Sequence, residues 1–201
     1  RPDIELTLLD SLNKRLVFLR EVCDAIGIEA ETIHKRAEEA GKDTKLRESF
    51  DVATARAVAN MNILAEYCIP LIKMKGYFAA MKGPSLPDEL EYARKAISSL
   101  GCDVVKTVPF ILPDEEQSER FVAVMRKLRF TPKMYPRHGG TITKKPLFLE
   151  QKGGSKNEHY LPQSRIERHS EAEPTFGAAF RCDGRSAENG GKDRENCKER
   201  G

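Results

Sequence analysis

The chain has 201 residues, 39% hydrophobic and 32% charged, with a net charge of +3, which is enough for one ordinary domain with extensions. No apolar run reaches bilayer-spanning length, and the first residues lack the charged and apolar regions of a secretory leader. Five cysteines, Cys23, Cys68, Cys102, Cys182 and Cys197, form no Cys-x-x-Cys pair and have no His at metal-ligand spacing. That argues against a zinc site or a disulfide framework and for a reducing, cytoplasmic setting. Charge is unevenly laid out. Residues 1–130 carry 20 Lys+Arg against 21 Asp+Glu, residues 131–149 carry four basic residues and no acid, and residues 150–201 carry ten of each. A short cationic strip beside a neutral domain suits contact with a phosphate backbone, although solvated lysines are the commoner explanation of such a strip.

Taken in order, Ile4, Leu6, Leu8 and Leu9 with Thr7 form a short apolar run of strand length. Asp10 stops it, and Ser11 and Asn13 offer N-cap oxygens for a helix. The chain starts with Arg1 rather than Met, almost inside that strand, so something upstream is expected to have been cut away. Leu12, Leu16, Leu19, Val22, Cys23 and Ile26 recur at helical spacing, with Gly27 as the stop. Residues 31–35 are a poor strand candidate, with His34 an ordinary strand residue. Residues 50–56 read as a strand ending in Arg56, residues 61–69 as a helix before Pro70, and residues 76–81 as a buried strand stopped at Lys82-Gly83-Pro84. Residues 86–100 read as a helix capped by Gly101. Residues 104–112 and 121–126 read as two strands whose connection is too short for a parallel crossover.

Alternating strands and helices imply an α/β fold with a mostly parallel sheet, to which the last pair adds an antiparallel edge. Asp10, the pair Ala37 and Glu38, Arg56 and Lys82 each follow a proposed strand, so all fall on one rim of the sheet. Ligands of open α/β sheets bind outside the carboxyl ends of the strands, and an acid there can accept both hydroxyls of a ribose. The bland alternatives are a turn aspartate, a solvated loop acid, a surface arginine and a turn lysine. Each outweighs its functional reading singly, but four coincidences together favour a nucleoside-type site.

The quoted segments also carry a resemblance. Leu-Leu-Asp-Ser-Leu-Asn-Lys-Arg from Leu8, Arg-Ala-Glu-Glu from Arg36, Phe-Asp-Val-Ala-Thr-Ala-Arg-Ala-Val-Ala from Phe50, Met-Lys-Gly from Met81, Leu-Pro-Asp-Glu from Leu112 and Tyr-Pro-Arg-His-Gly-Gly-Thr-Ile-Thr-Lys-Lys-Pro-Leu from Tyr135 occur in that order. Residues 1–147 thereby resemble the ribosomal RNA small subunit methyltransferase G family, also called glucose-inhibited division protein B.

The resemblance implies a Rossmann-like class I methyltransferase that uses S-adenosylmethionine to methylate N7 of a guanine in 16S rRNA. By the family's pattern Asp10, Ser11 and Leu12 lie against the adenosine, Ala37 and Glu38 against the adenine, and Arg56 closes the cofactor site. Lys82 stands beside the target guanine, so Arg56 and Lys82 are the catalytic candidates. Lys133, Arg137, Lys144 and Lys145 are the candidates for holding RNA. The implied partner is 16S rRNA or a small-subunit precursor, bound by a monomer with no membrane contact.

The family's glycine-rich loop and first core strand should stand upstream of Arg1 and are absent. The expected domains are a partial methyltransferase core over residues 1–130, a basic strip over 131–147, and a disordered or non-native tail over 148–201 that is dispensable for folding. A nicotinamide-dependent oxidoreductase and a non-catalytic RNA-binding remnant are the alternatives. The terminal hairpin favours the methyltransferase over the oxidoreductase.

Overall fold

The computed structural model describes residues 3–56, 59–147 and 177–182. Its first strand, β1 (Ile4–Asp10), has buried side chains on both faces, because consecutive side chains of a strand point opposite ways. Leu8 packs with Leu16 and Cys23 of α1 (Asn13–Ala25), while Leu9 packs on the other side against Ala40, Leu46, Phe50 and Leu71. Helix α1 ends at Gly27, whose φ of +69° lets the Ile28 amide turn back to the Cys23 carbonyl at 2.9 Å. Its start differs from expectation: neither Ser11 nor Asn13 caps it, and Leu12, the N-cap, makes no side-chain bond. Asp10 instead closes a turn by accepting the Leu12 amide at 2.7 Å.

The chain continues through β2 (Ala30–His34), α2 (Ala37–Ala40), β3 (Phe50–Arg56) and α3 (Met61–Cys68). After a 3-10 turn at Ile69–Leu71 come β4 (Ile72–Lys82), α4 (Leu86–Ser99), β5 (Cys102–Ile111), β6 (Glu119–Lys127), α5 (Gly139–Lys144) and β7 (Gly177–Cys182). The two shortest helices were not anticipated from the sequence, and β4 begins at Ile72 rather than at residue 76. Residues 177–182 depart from the expectation of disorder for residues 148–201. The rest of that segment lies outside the described residues.

The strands form one sheet in the order β2-β1-β7-β3-β4-β6-β5. Strands β1 to β5 run one way, while β6 and β7 oppose them. The sheet is therefore mostly parallel in direction, with the expected antiparallel hairpin of β5 and β6 at one edge. The main core lies between β3, β4 and β6 and the helices α3 and α4, with Met61, Leu64, Phe78, Leu86, Ile97 and Met125 at its centre. On the opposite face of those strands Tyr77 and Met81 are exposed, while α1 packs over β1 and β2.

One charged side chain sits inside this core. Lys127 is fully buried, and its ammonium donates to the Ile69 carbonyl at 2.9 Å and to Thr131 Oγ1 at 2.5 Å, with Glu48 Oε1 3.2 Å away. Burial pulls its pKa down and Glu48 works against that shift. All three of its protons have partners, which is what a buried ammonium requires. The network joins the end of β6 to the loop before β3 and to the segment that starts the basic strip.

Burial pushes the Cys68 thiol up to about 12 from 9.0. An unfolded chain releases that proton near its ordinary pKa while the folded chain keeps it, so this part of the stability is complete below that value and lost as pH rises above it, by about 1.4 kcal/mol per unit. Urea denaturation at a series of pH values from about 9 to 11 should show stability falling less steeply in Cys68→Ala than in the parent chain. Parallel slopes would contradict the assignment.

Candidate functional site

Because β1 to β4 run parallel, their carboxyl ends share one rim, and that rim presents Asp10, His34, Arg56 and Lys82 in turn. Register ties them together: Asp10 lies beside His34, and Arg56 beside Met81. Between the two pairs stands Gly177, the first residue of β7, opposite Leu9 on one side and Ala55 on the other. His34 Nε2 lies 2.9 Å from the Ser11 carbonyl, and the Lys35 amide donates to the Asp10 carbonyl at 3.2 Å. These contacts hold the two turns after β1 and β2 against each other.

The two rim acids are buried. Asp10 is 2% exposed; its Oδ1 holds the Leu12 amide, and its Oδ2 lies 3.1 Å from Arg15 Nη1 without hydrogen-bond alignment. Glu38 is 5% exposed, and its Oε1 accepts from Arg36 Nε at 2.8 Å. Asp10 Oδ2 and Glu38 Oε2 are both buried without a hydrogen-bond partner among the described residues. At Glu38 Oε2 a buried acceptor without a donor is costly, by about 1–3 kcal/mol, whereas at Asp10 Oδ2 the Arg15 charge offsets part of that cost.

Glu38 borders a cleft of about 300 Å³ with Arg36, Glu39, Lys42, His138 and Gly140. Gly139 closes over it so tightly that a Cβ at that position would stand 2.1 Å from Glu38 Oε1, so a larger residue there would displace the Glu38 carboxylate. Ala37 beside it packs on the main core, Ser11 is half-buried and Leu12 is exposed.

The cations divide into free and engaged. Arg56 is exposed at the end of β3 and has no ion-pair partner among the described residues. Lys82, expected beside a target base, is turned inward: its ammonium lies 2.7 Å from both Glu89 Oε2 and the Ala59 carbonyl. Glu89 also accepts the Met61 amide and the Ser85 hydroxyl, each at 2.9 Å. Through these contacts Lys82 and Glu89 tie the end of β4 to Ala59 and to the start of α3.

Arg137, expected to hold RNA, is likewise engaged. Its Nε and Nη2 donate to Glu66 Oε1 and Oε2 at 2.9 and 2.7 Å, its backbone amide adds a third bond to the same carboxylate, and Nη1 reaches the Lys145 carbonyl. Glu66 is fully buried, and its bonds hold the guanidinium pKa above the ordinary value. Arg47, a residue the sequence reading passed over, donates to the carbonyls of Gly41, Thr131 and Tyr135 at 2.7 to 2.8 Å. Together these two arginines clamp residues 131–145 over α2 and Glu38. Lys133, Lys144 and Lys145 remain exposed on that strip.

A sequence model of the rRNA small subunit methyltransferase G family matches residues 1–118. The chain belongs to that family. The relative from Exiguobacterium sp. (strain ATCC BAA-1283 / AT1b), named Ribosomal RNA small subunit methyltransferase G, is 50% identical over 147 residues, which are 73% of this chain and 61% of the relative. That from Clostridium novyi (strain NT) is 47% identical over 148 residues, 60% of its length. The chain therefore spans about three fifths of the length of the curated methyltransferase G relatives it matches. Among solved structures, a rRNA methylase from Streptococcus thermophilus is 19% identical with a TM-score of 0.40, covering 60% of this chain and 72% of that one.

Removal of Arg137 leaves a fully buried carboxylate without its cation. Arg137→Ala should cost about 3–5 kcal/mol of unfolding free energy, the range for breaking one partner of a buried pair. Lys145→Ala, at an exposed position, should cost less than about 0.5 kcal/mol. Chemical denaturation of both variants checks this; equal losses would mean that the clamp does not form.

Proposed function

We propose that this chain carries the carboxyl-rim half of an S-adenosylmethionine-dependent methyltransferase whose substrate is N7 of a guanine in 16S rRNA. The observation that carries the reading is the rim itself: two buried acids with open acceptor oxygens, Asp10 and Glu38, beside an exposed cation, Arg56, in a chain of the methyltransferase G family. Those open oxygens fit donor groups of a nucleoside, namely ribose hydroxyls at Asp10 and an adenine amino group at Glu38. Ser11, Leu12 and Ala37 would supply backbone and contact surface around them. Asp10 reaches a ribose only if Arg15 swings away from its Oδ2.

S-adenosylmethionine, when bound, supplies an electrophilic methyl group. Guanine N7 carries a lone pair and no proton, so the protein need provide no general base and its task is alignment. Arg56 is placed to hold the acceptor nucleotide against the rim. Lys82 acts through Ala59 and, with Glu89, through the start of α3. Lys133, Lys144 and Lys145 offer their charges to RNA phosphates, which position a substrate without choosing its base. Arg137 supports that strip from beneath. The partner would be 16S rRNA or a small-subunit precursor, met in the cytoplasm by a monomer. Among the described residues no helix is long and apolar enough to cross a membrane.

Joined to the portion of the Exiguobacterium relative that it does not match, the chain should bind S-adenosylmethionine. In the joined protein, Asp10→Ala should raise the cofactor dissociation constant, at about 1.5–3 kcal/mol per charge-assisted bond lost, with RNA affinity unchanged. Arg56→Ala should lower turnover even at saturating cofactor. Lys145→Ala should weaken RNA binding and flatten its salt dependence. Cofactor titration and single-turnover methylation separate the three. An unchanged cofactor affinity in Asp10→Ala would return that residue to the role of a turn aspartate.

A further inference from the structure

Strand β6 ends at Lys127 beside Cys102, the first residue of β5, so the segment that follows leaves the sheet at the amino ends of the parallel strands, opposite the rim. Its backbone is pinned on both sides of Phe130. Before it, the amides of Leu128 and Arg129 donate to the Gly101 carbonyl at 2.8 and 3.0 Å, and a Cβ at Gly101 would stand 2.2 Å from the Arg129 carbonyl oxygen. After it, the Thr131 amide donates to Glu48 Oε1 and the Thr131 hydroxyl to the Leu100 carbonyl, each at 2.8 Å, while Arg47 holds the Thr131 carbonyl at 2.7 Å.

Between these anchors Phe130 is 69% exposed, and Met134, in the turn that the Tyr135 amide closes on the Pro132 carbonyl, is 68% exposed. They are the most exposed large apolar side chains among the described residues. A lone apolar side chain at a surface is ordinary. Phe130 differs in two ways. Its backbone is fixed by buried partners, so the loop cannot shift to cover the ring, and the ring stands among cations. Residues 126–134 include Arg126, Lys127, Arg129 and Lys133 and no acid. Lys127 is turned inward, but Arg129 and Lys133 are exposed, and the ion pair of Arg129 with exposed Asp103 is as long as 3.9 Å. A second copy of this loop would bring like charges together. An unpaired base offers a π-face to the ring while its phosphates neutralise the cations.

We propose that Phe130 is a stacking platform for an unpaired base of RNA, with Arg129 and Lys133 on the neighbouring phosphates and Met134 as a second apolar contact. The proposal rests on the reading of RNA as the substrate, and needs neither the cofactor nor the identity of the methylated atom. It extends the RNA contact from Gly139 at the rim, along residues 131–145, to the amino ends of the strands.

The chain contains no tryptophan, so Phe130→Trp places its sole indole at the proposed platform. A single-stranded oligouridine of about ten nucleotides, titrated at low salt, should quench the indole emission saturably. An RNA duplex of equal length should bind without quenching, because its bases are already stacked. Phe18→Trp, at an exposed position of α1, should show no quenching with either RNA. By fluorescence anisotropy of labelled oligouridine, Phe130→Ala should weaken binding about tenfold, and Phe130→Tyr should keep the parent affinity. The salt dependence should keep its slope in Phe130→Ala, which removes no charge, and flatten in Lys133→Ala. The same tenfold ratio is expected when the chain is joined to the portion of the Exiguobacterium relative that it does not match. No binding of oligouridine, an unquenched indole with RNA bound, or equal affinity of Phe130→Ala and parent in either protein would each overturn the proposal. Methylation by a joined protein whose Phe130→Ala variant binds RNA normally would overturn the platform alone, and a quenched indole without methylation would overturn the methyl-transfer reading alone.

Discussion

A single antiparallel strand makes one sheet out of two. Without β7, the β1-β2 pair with α1 would meet the β3-β4-β6-β5 unit only through side chains, where Leu9 and Ile33 touch Ala40, Leu46, Phe50 and Leu71. Two sheet edges facing each other expose rows of unpaired amides and carbonyls, which a native protein covers or pairs. Every statement about the rim depends on that closure, since Asp10 and Arg56 lie on opposite sides of Gly177.

The second tier of order is electrostatic and buried. Lys127 with Glu48 and Arg137 with Glu66 tie segments far apart in sequence, Lys82 with Glu89 ties the end of β4 and the start of α4 to Ala59 and Met61, and each charge is matched by further hydrogen bonds. Pairs of this kind add little net stability over apolar packing but penalise alternative arrangements heavily, because each leaves a bare charge inside. They set the basic strip against α2 and place Gly139 on Glu38. Glu38 thus belongs to a wall that is held for reasons unrelated to any ligand.

Much of the frame was legible in the sequence. The strands β1 and β3 announce themselves by apolar runs ending at Asp10 and Arg56, α1 by its spacing and its glycine stop, and the rim by polar residues recurring after each strand. What was not legible is tertiary. Helix α2 has only four residues, so length argues against it, and α5 contains Gly139 and Gly140, so propensity argues against it; burial of Ala40 and Ile142 decides both. Strand β4 starts early despite Lys73 and Lys75, because its register with β3 begins at Phe50 opposite Ile72. Arg137 reads as a free cation in a basic strip until Glu66, 71 residues away, is found beneath it. For β7 no local signal exists: six residues in a polar tail form a strand only because two partners flank them.

Hydrogen–deuterium exchange on the intact chain reaches the central claim most directly. If β7 closes the sheet, the amides of β1 from Leu6 to Leu8 and of β3 from Ala53 to Ala55 should be protected as strongly as those of Phe78 and Ala80 in the middle of β4. Exchange in β1 and β3 at the rate of open edge strands, with β4 still protected, would show two separate sheets and contradict the account.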